Sequence, residues 1–202
     1  MGRKRILLKI GSNTLTKETN QISRGKIEDI GRQIADLKDE YEFIIVSSGA
    51  IAAAKQFVKL EHNGAEINVK QALAAIGQPH LMRIFQENFR ELGLSTSQCL
   101  LSYSDFENPK SKANIKNTIN ILVANNFIPI INENDTVAAD EIQFGDNDKL
   151  AALTAALLQV DLLIIATITD GIYTKDSIEF SEPETIPLVS GIAQLEKEIS
   201  TS

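Results

Sequence analysis

Phe43-Ile44-Ile45-Val46-Ser47-Ser48-Gly49-Ala50-Ile51-Ala52-Ala53-Ala54-Lys55 is the stretch on which the fold turns. Its first four residues are apolar and three of them are β-branched, which predicts a short strand buried on both faces. Ser47-Ser48-Gly49 breaks the run, and the alanine-rich residues from Ala50 to Lys55 form a good helix. Strand, glycine turn and helix in that order are the parts of a parallel sheet with helices packed over it.

The same alternation extends outward in both directions. Upstream, Ile6-Leu7-Leu8 is a buried run ended by Gly11-Ser12, and Ile27, Ile30, Ile34 and Leu37 recur at helical spacing. Downstream, Val69 to Ile76 reads as a helix closed by Gly77. Pro79 suits the first turn of a next helix, whose Leu81, Phe85, Phe89 and Leu92 share a face. Cys99-Leu100-Leu101, Ile128 to Ile131 and Leu162 to Ile165 read as three further strands. Ile115, Ile119 and Leu122 mark one helix face between the first two, and Leu150, Leu153 and Leu157 another before the last. Because the strands are continuous apolar runs, both sheet faces are expected to be covered. The pattern predicts an α/β protein: one three-layer α/β/α sandwich over residues 1–202 with a mostly parallel central sheet.

Composition narrows the function. The 202 residues are 43% hydrophobic but only 5% aromatic, with no Trp, so the core is aliphatic. A net charge of -7 supplies no basic face, which argues against nucleic acid and anionic membrane as partners. Arg3-Lys4-Arg5 reads as a solvated approach to the first strand. The single cysteine, Cys99, excludes an internal disulfide and a cysteine zinc site, and His62 and His80 lack metal-ligand spacing. No apolar stretch reaches the roughly 18 residues of a membrane span, and no signal-peptide pattern opens the chain. A cytoplasmic protein is expected, with the sequon at Asn134 unglycosylated.

Ligands of open parallel sheets bind beyond the carboxyl ends of the strands. The residues there are Lys9-Ile10-Gly11-Ser12, Ser47-Ser48-Gly49-Ala50, Asn132-Glu133-Asn134-Asp135 and Thr167-Ile168-Thr169-Asp170-Gly171, with Gly145-Asp146-Asn147-Asp148 in a nearby loop. A lysine in an apolar strand needs an anion, which phosphate oxygens would supply, unless it snorkels to water. Ser48 and Gly49 begin a helix, where they suit either an anion or a simple serine cap. Asn and Asp clusters accept from an ammonium and donate to a carboxylate, as an amino acid requires, or they form Asx-turns. Walker-type, dinucleotide and nucleophile-elbow signatures are absent.

Taken in order, Lys9–Ser12, Ser47–Ala53, Gln71–Gln78, Pro129–Asp135 and Phe144–Asp148 resemble the amino-acid kinase family, and within it the members that act on glutamate. Asp170-Gly171-Ile172-Tyr173 is similar to the family's turn after the last strand. The resemblance implies ATP-dependent phosphorylation of the side-chain carboxylate of L-glutamate, the first step of proline biosynthesis, with ATP and Mg²⁺ as cofactors. It makes Lys9 and Asp146 the catalytic candidates and Ser48, Gly49, Asp135 and Asn147 the substrate-binding ones. Lys9, Gly11 and Thr167 would bind the nucleotide. No residue is assigned to a metal, because Mg²⁺ binds largely through phosphates. The resemblance also implies a homo-oligomer (dimer or tetramer) and proline as a feedback inhibitor. A γ-carboxylate is ionised at neutral pH, so its attack needs no general base, and the lack of a usable histidine is consistent with that.

Two departures bear on activity. The family has Ser/Thr-Asp where this chain has Thr167-Ile168, and it continues into a T-G-G-x-x-T-K segment that does not occur before Ser202. Relative to the family the kinase domain is therefore expected to be C-terminally incomplete, with no additional C-terminal domain. The alternative function is a catalytically impaired amino-acid-binding or regulatory relative of the kinase.

Overall fold

The computed structural model of the chain describes residues 2–16, 21–60, 66–137, 147–174 and 184–192. It divides into two compact units, 1–166 and 167–202.

The first unit runs β1 (Lys4–Ile10), α1 (Ser12–Leu15), α2 (Arg24–Leu37), β2 (Tyr41–Ser47), α3 (Ala50–Lys55), α4 (Glu66–Glu91), β3 (Ser95–Leu101), a 3-10 turn (Tyr103–Phe106), α5 (Pro109–Ala124), β4 (Phe127–Glu133), α6 (Asp148–Leu158) and β5 (Leu162–Ala166). The five strands form one sheet in the order β3-β4-β2-β1-β5. Every pairing is parallel. Two cores cover its faces. Ile6, Ile10, Phe43, Ile45, Ile128 and Ile130 pack against α2 and α4. Leu7, Ile44, Val46 and Ile131 pack against α5 and α6. Residues 1–166 adopt the expected three-layer α/β/α architecture; contrary to expectation, the sandwich does not extend over the described residues of the second unit.

Register sets the rim. Ile10 lies level with Ser47 and Ala166, and Val46 pairs with Ile131, which brings Ser47 beside Asn132. Side chains alternate along a strand, so Lys9 follows Leu7 onto the α5/α6 face.

The structure departs from the expectations at five places. Residues 66–91 form one continuous helix, not two, with Gly77 and Pro79 inside it. Pro79 removes one helical hydrogen bond, and it lies with Ala75, whose carbonyl loses that bond, on the exposed side of the helix. Gly77 is required by packing. A Cβ there would lie 1.8 Å from the Ala50 carbonyl oxygen, so only glycine lets α4 cross the start of α3 this closely. β3 begins at Ser95, four residues before its apolar part, because an edge strand can carry polar side chains. In α5 the buried stripe is Ile115, Ile119 and Val123, and Leu122 is half-buried. Arg5 is paired rather than solvated, with Glu42 at 3.0 Å and Asn120 at 2.9 Å. Finally, β5 is not covered on both faces: Leu162, Ile164 and Ile165 are exposed.

In the second unit Thr174 donates its backbone N–H to the Glu184 carbonyl and Ile186 donates to Ile172. Tyr173 and Thr185 thereby form an antiparallel bridge.

Candidate active site

The carboxyl ends of β1, β2 and β4 bring Lys9, Ser47, Ser48 and Asn132 to one rim, and α6 starts beside them with Asn147 and Asp148. Lys9 does not snorkel. It is 4% exposed, and its Nζ lies 2.5 Å from Asp148 Oδ1. A buried ammonium held by a carboxylate is a fixed positive charge whose counter-ion, 45% exposed at its side chain, borders solvent. Gly11 follows directly, and a Cβ on it would come within 3.4 Å of Lys9 Nζ. Glycine at that position keeps space open beside the ammonium. A buried cation beside a residue with no side chain suits the close approach of phosphate oxygens, and on that ground a nucleotide's phosphates fit here.

The turn after β2 is not a serine cap. Gly49 precedes α3 in the left-handed conformation, with φ 105°, and no side chain caps the helix. Ser48 Oγ is instead buried with no hydrogen-bond partner among the described residues. Its backbone N–H donates to the Ile10 carbonyl at 3.1 Å, which holds the turn against β1. An unpaired buried hydroxyl costs free energy unless a ligand meets it.

Asn147 is 6% exposed and donates twice through Nδ2, to the Ser47 carbonyl and to Asn132 Oδ1, each at 2.7 Å. Its two N–H bonds are thus used, and its carbonyl oxygen is what the side chain can offer a ligand. Asn132 is therefore part of the site's wall, not an Asx-turn at a loop end.

Asp135 lines a groove of about 200 Å³ together with Gln78, Gln98, Leu100 and Glu133. Burial pushes its carboxyl up to about 6. A carboxylate that is costly to ionise gains from an ammonium partner. A larger hollow of about 310 Å³ lies at the opposite, amino end of the strands. There Arg3 is already paired with the Lys38 carbonyl and Asn126. Chemistry, not size, marks the carboxyl rim.

The structure thus brings Lys9, Gly11, Ser48, Gly49 and Asn147 to one rim, and Asp135 to the adjoining groove. Asp146, expected to be catalytic, lies outside the described residues, as do Gly145 and His62. Thr167 belongs to the second unit, where its hydroxyl meets Thr169 Oγ1 at 3.1 Å. His80 faces Arg83 Nη2 at 2.9 Å and the Phe57 ring, and burial lowers its pKa. Sequence reading missed Asp148 as the partner of Lys9. The signal was present, since an acidic residue in the first turn of a helix at the same rim is the anion that a strand lysine requires.

Among the described residues no group of three His, Cys, Asp or Glu side chains could hold a metal ion, and no helix is long and apolar enough to cross a membrane.

Comparison with known proteins gives the following. The profile of the amino acid kinase family matches residues 4–201. Glutamate 5-kinase of Geobacter sp. (strain M21) is 42% identical over 193 residues, which is 95% of this chain and 50% of that protein. Glutamate 5-kinase of Symbiobacterium thermophilum is 43% identical over 188 residues, 93% of this chain and 72% of that protein. Glutamate 5-kinase of Alkaliphilus oremlandii is 42% identical over 197 residues, 97% of this chain and 75% of that protein. The chain spans about half the length of several curated relatives that it matches.

Proposed function

The chain belongs to the amino acid kinase family, and from that premise we propose that it carries the acceptor side, and the first phosphate-binding lysine, of an ATP-dependent kinase acting on the side-chain carboxylate of L-glutamate. The observation that carries this reading is the buried Lys9 ammonium paired with Asp148, standing on the same rim as the unpartnered Ser48 hydroxyl and the pinned Asn147 amide.

In this reading Lys9 draws the transferring phosphoryl group toward the rim, and Gly11 leaves room for it. ATP, with Mg²⁺ neutralising its phosphates, supplies the phosphoryl group when bound. Thr167 takes the nucleotide edge, and Asp146 is the second catalytic candidate. Asp135 and the Asn147 carbonyl oxygen accept from the α-ammonium of glutamate, while Ser48 Oγ–H and the backbone at Gly49 donate to a carboxylate. The γ-carboxylate attacks as an anion and needs no base. The site's work is to hold two negative reactants in line while a fixed cation offsets their repulsion. Proline has the same α-carboxylate and a ring ammonium, so it is the expected competitor for the Asp135 groove. The reaction places the protein at the first step of proline biosynthesis, in the cytoplasm.

The test is formation of γ-glutamyl hydroxamate from glutamate, ATP, Mg²⁺ and hydroxylamine. Product that depends on both glutamate and ATP is the expected result. No product, with glutamate still raising the melting temperature, would favour a binding or regulatory relative. Neither product nor a thermal shift would overturn the reading.

A further inference from the structure

Gln71–Gln78 is one of the family-like stretches, yet none of its side chains has so far been given a part in ligand binding. In the structure Gly77 and Gln78 reach both walls of the site. Gly77 lies against the Ala50 carbonyl, next to the Ser48–Gly49 turn. Gln78, 8% exposed, accepts from Asn132 Nδ2 at 2.8 Å through its Oε1 and donates through Nε2 to Gln98 Oε1 at 3.2 Å. With the two bonds of Asn147, this makes an unbroken chain: Gln98, Gln78, Asn132, Asn147, then the Ser47 carbonyl.

A side-chain amide has a donor end and an acceptor end of nearly the same shape, so its orientation is set by its neighbours. Here two backbone groups fix the polarity. The Ser47 carbonyl can only accept, so Asn147 must turn its NH₂ to it. The Glu133 N–H, 2.9 Å from Asn132 Oδ1, can only donate, so Asn132 must turn its oxygen toward Glu133 and Asn147. Its NH₂ then points at α4, where it needs an acceptor in a place that is 3% exposed. Gln78 Oε1 is that acceptor.

We propose that Gln78 is a positioning residue for glutamate binding: through Asn132 it holds Asn147 in the one orientation that presents a carbonyl oxygen to the ligand. The inference rests on the functional reading above for its ligand, but the amide chain exists without it. Replacing Gln78 by leucine strands a buried donor on Asn132. If Asn132 flips to relieve this, its NH₂ faces the Glu133 N–H and the Asn147 NH₂, donor against donor. The flip takes from Asn147 the acceptor that fixes it, and without a flip that acceptor sits on a side chain with an unsatisfied buried donor. Gln78→Glu keeps an acceptor for Asn132, gives up the link to Gln98 at the exposed end of the chain, and adds a carboxylate to the groove that Glu133 and Asp135 also line.

The test uses the full chain and two readouts. Calorimetric titration with L-glutamate should show binding weakened about tenfold in Gln78→Leu and restored to within about threefold of the parent in Gln78→Glu. Hydrogen exchange of the Asn147 side-chain NH₂, followed by NMR without ligand, should be slow in the parent, fast in Gln78→Leu and slow again in Gln78→Glu. Unchanged affinity in a folded Gln78→Leu variant would overturn the proposal. If the parent binds no glutamate, the functional reading fails, and the exchange rates decide the amide chain alone: equal rates in the parent and Gln78→Leu would overturn it.

Discussion

Ile130 and Ile131 of β4 are fully buried, whereas Ile164 and Ile165 of β5 are 41% and 42% exposed. The functional groups on the two sides of the sheet differ in the same sense. Beside β2 and β4, neutral amides are fixed by directional hydrogen bonds among residues that water barely reaches. On β1, which pairs with β5, Lys9 is held by an ion pair whose acidic member borders solvent. The difference fits the two tasks that the proposed function would assign to these sides. Recognising an amino acid requires each donor and acceptor to point one way, which neutral amides in dry surroundings achieve. Drawing in a phosphate requires charge, which acts without fine orientation.

If that division is correct, the two sides will fail in different ways. The largest effect is expected for Lys9→Met, which should lower hydroxamate turnover about 1000-fold while leaving glutamate affinity nearly unchanged by calorimetry. Equal losses in both would erase the division. Next, Ile131→Ala should cost about 3 kcal/mol in urea unfolding, and Ile165→Ala less than about 1 kcal/mol, because only the first empties a closed core position. Similar costs would mean that β5 is covered in solution.

Smaller effects sharpen the acceptor side. Ser48→Ala should weaken glutamate binding about tenfold yet leave the melting temperature the same or slightly higher, since it removes a hydroxyl with nothing to meet it in the free protein. Binding should also fall with pH as Asp135 is protonated. With its carboxyl pushed up to about 6 by burial, affinity should drop about twofold by pH 6 and about tenfold by pH 5 relative to pH 8. The sign for stability is opposite. The folded chain holds this proton more tightly than the unfolded one, so the carboxyl's contribution is greatest below its ordinary range and is lost as pH rises through about 6. Asp135→Asn should therefore flatten the pH dependence of binding and raise the melting temperature at pH 8. A flat binding profile in the parent would remove Asp135 from ammonium recognition.

Much of this was legible in the sequence, and the exceptions share a cause. Ile6-Leu7-Leu8, Phe43 to Val46 and Ile128 to Ile131 announce strands because short apolar runs bounded by polar or glycine turns have few other uses. Gly77 and Pro79 look like punctuation, and in an isolated chain they would be. Here the burial of Leu73, Leu81, Ile84, Phe85 and Phe89 along α4 outweighs one lost hydrogen bond. Ser95–Gln98 gives no strand signal because its pairing with Phe127–Ile130 is decided by the neighbouring strand rather than by its own side chains. Among the site residues, Lys9, Ser48, Gly49 and Asp135 stood out at strand ends and Asn147 in a polar loop. Asp148 and Gln78 did not, because each lies within a helix, where an acid in the first turn and a glutamine in an amphipathic run look ordinary.

What the sequence alone determined is the layered α/β architecture and the rim on which the chemistry sits, because side-chain periodicity fixes which faces must be buried whatever the distant parts of the chain do. Which atoms meet on that rim was decided only in three dimensions. Asn147 reaches the Ser47 carbonyl from 100 residues away, and Asn132 reaches Gln78 from 54. Those meetings depend on strand register and on how closely α4 crosses α3, and neither is encoded in any local spacing.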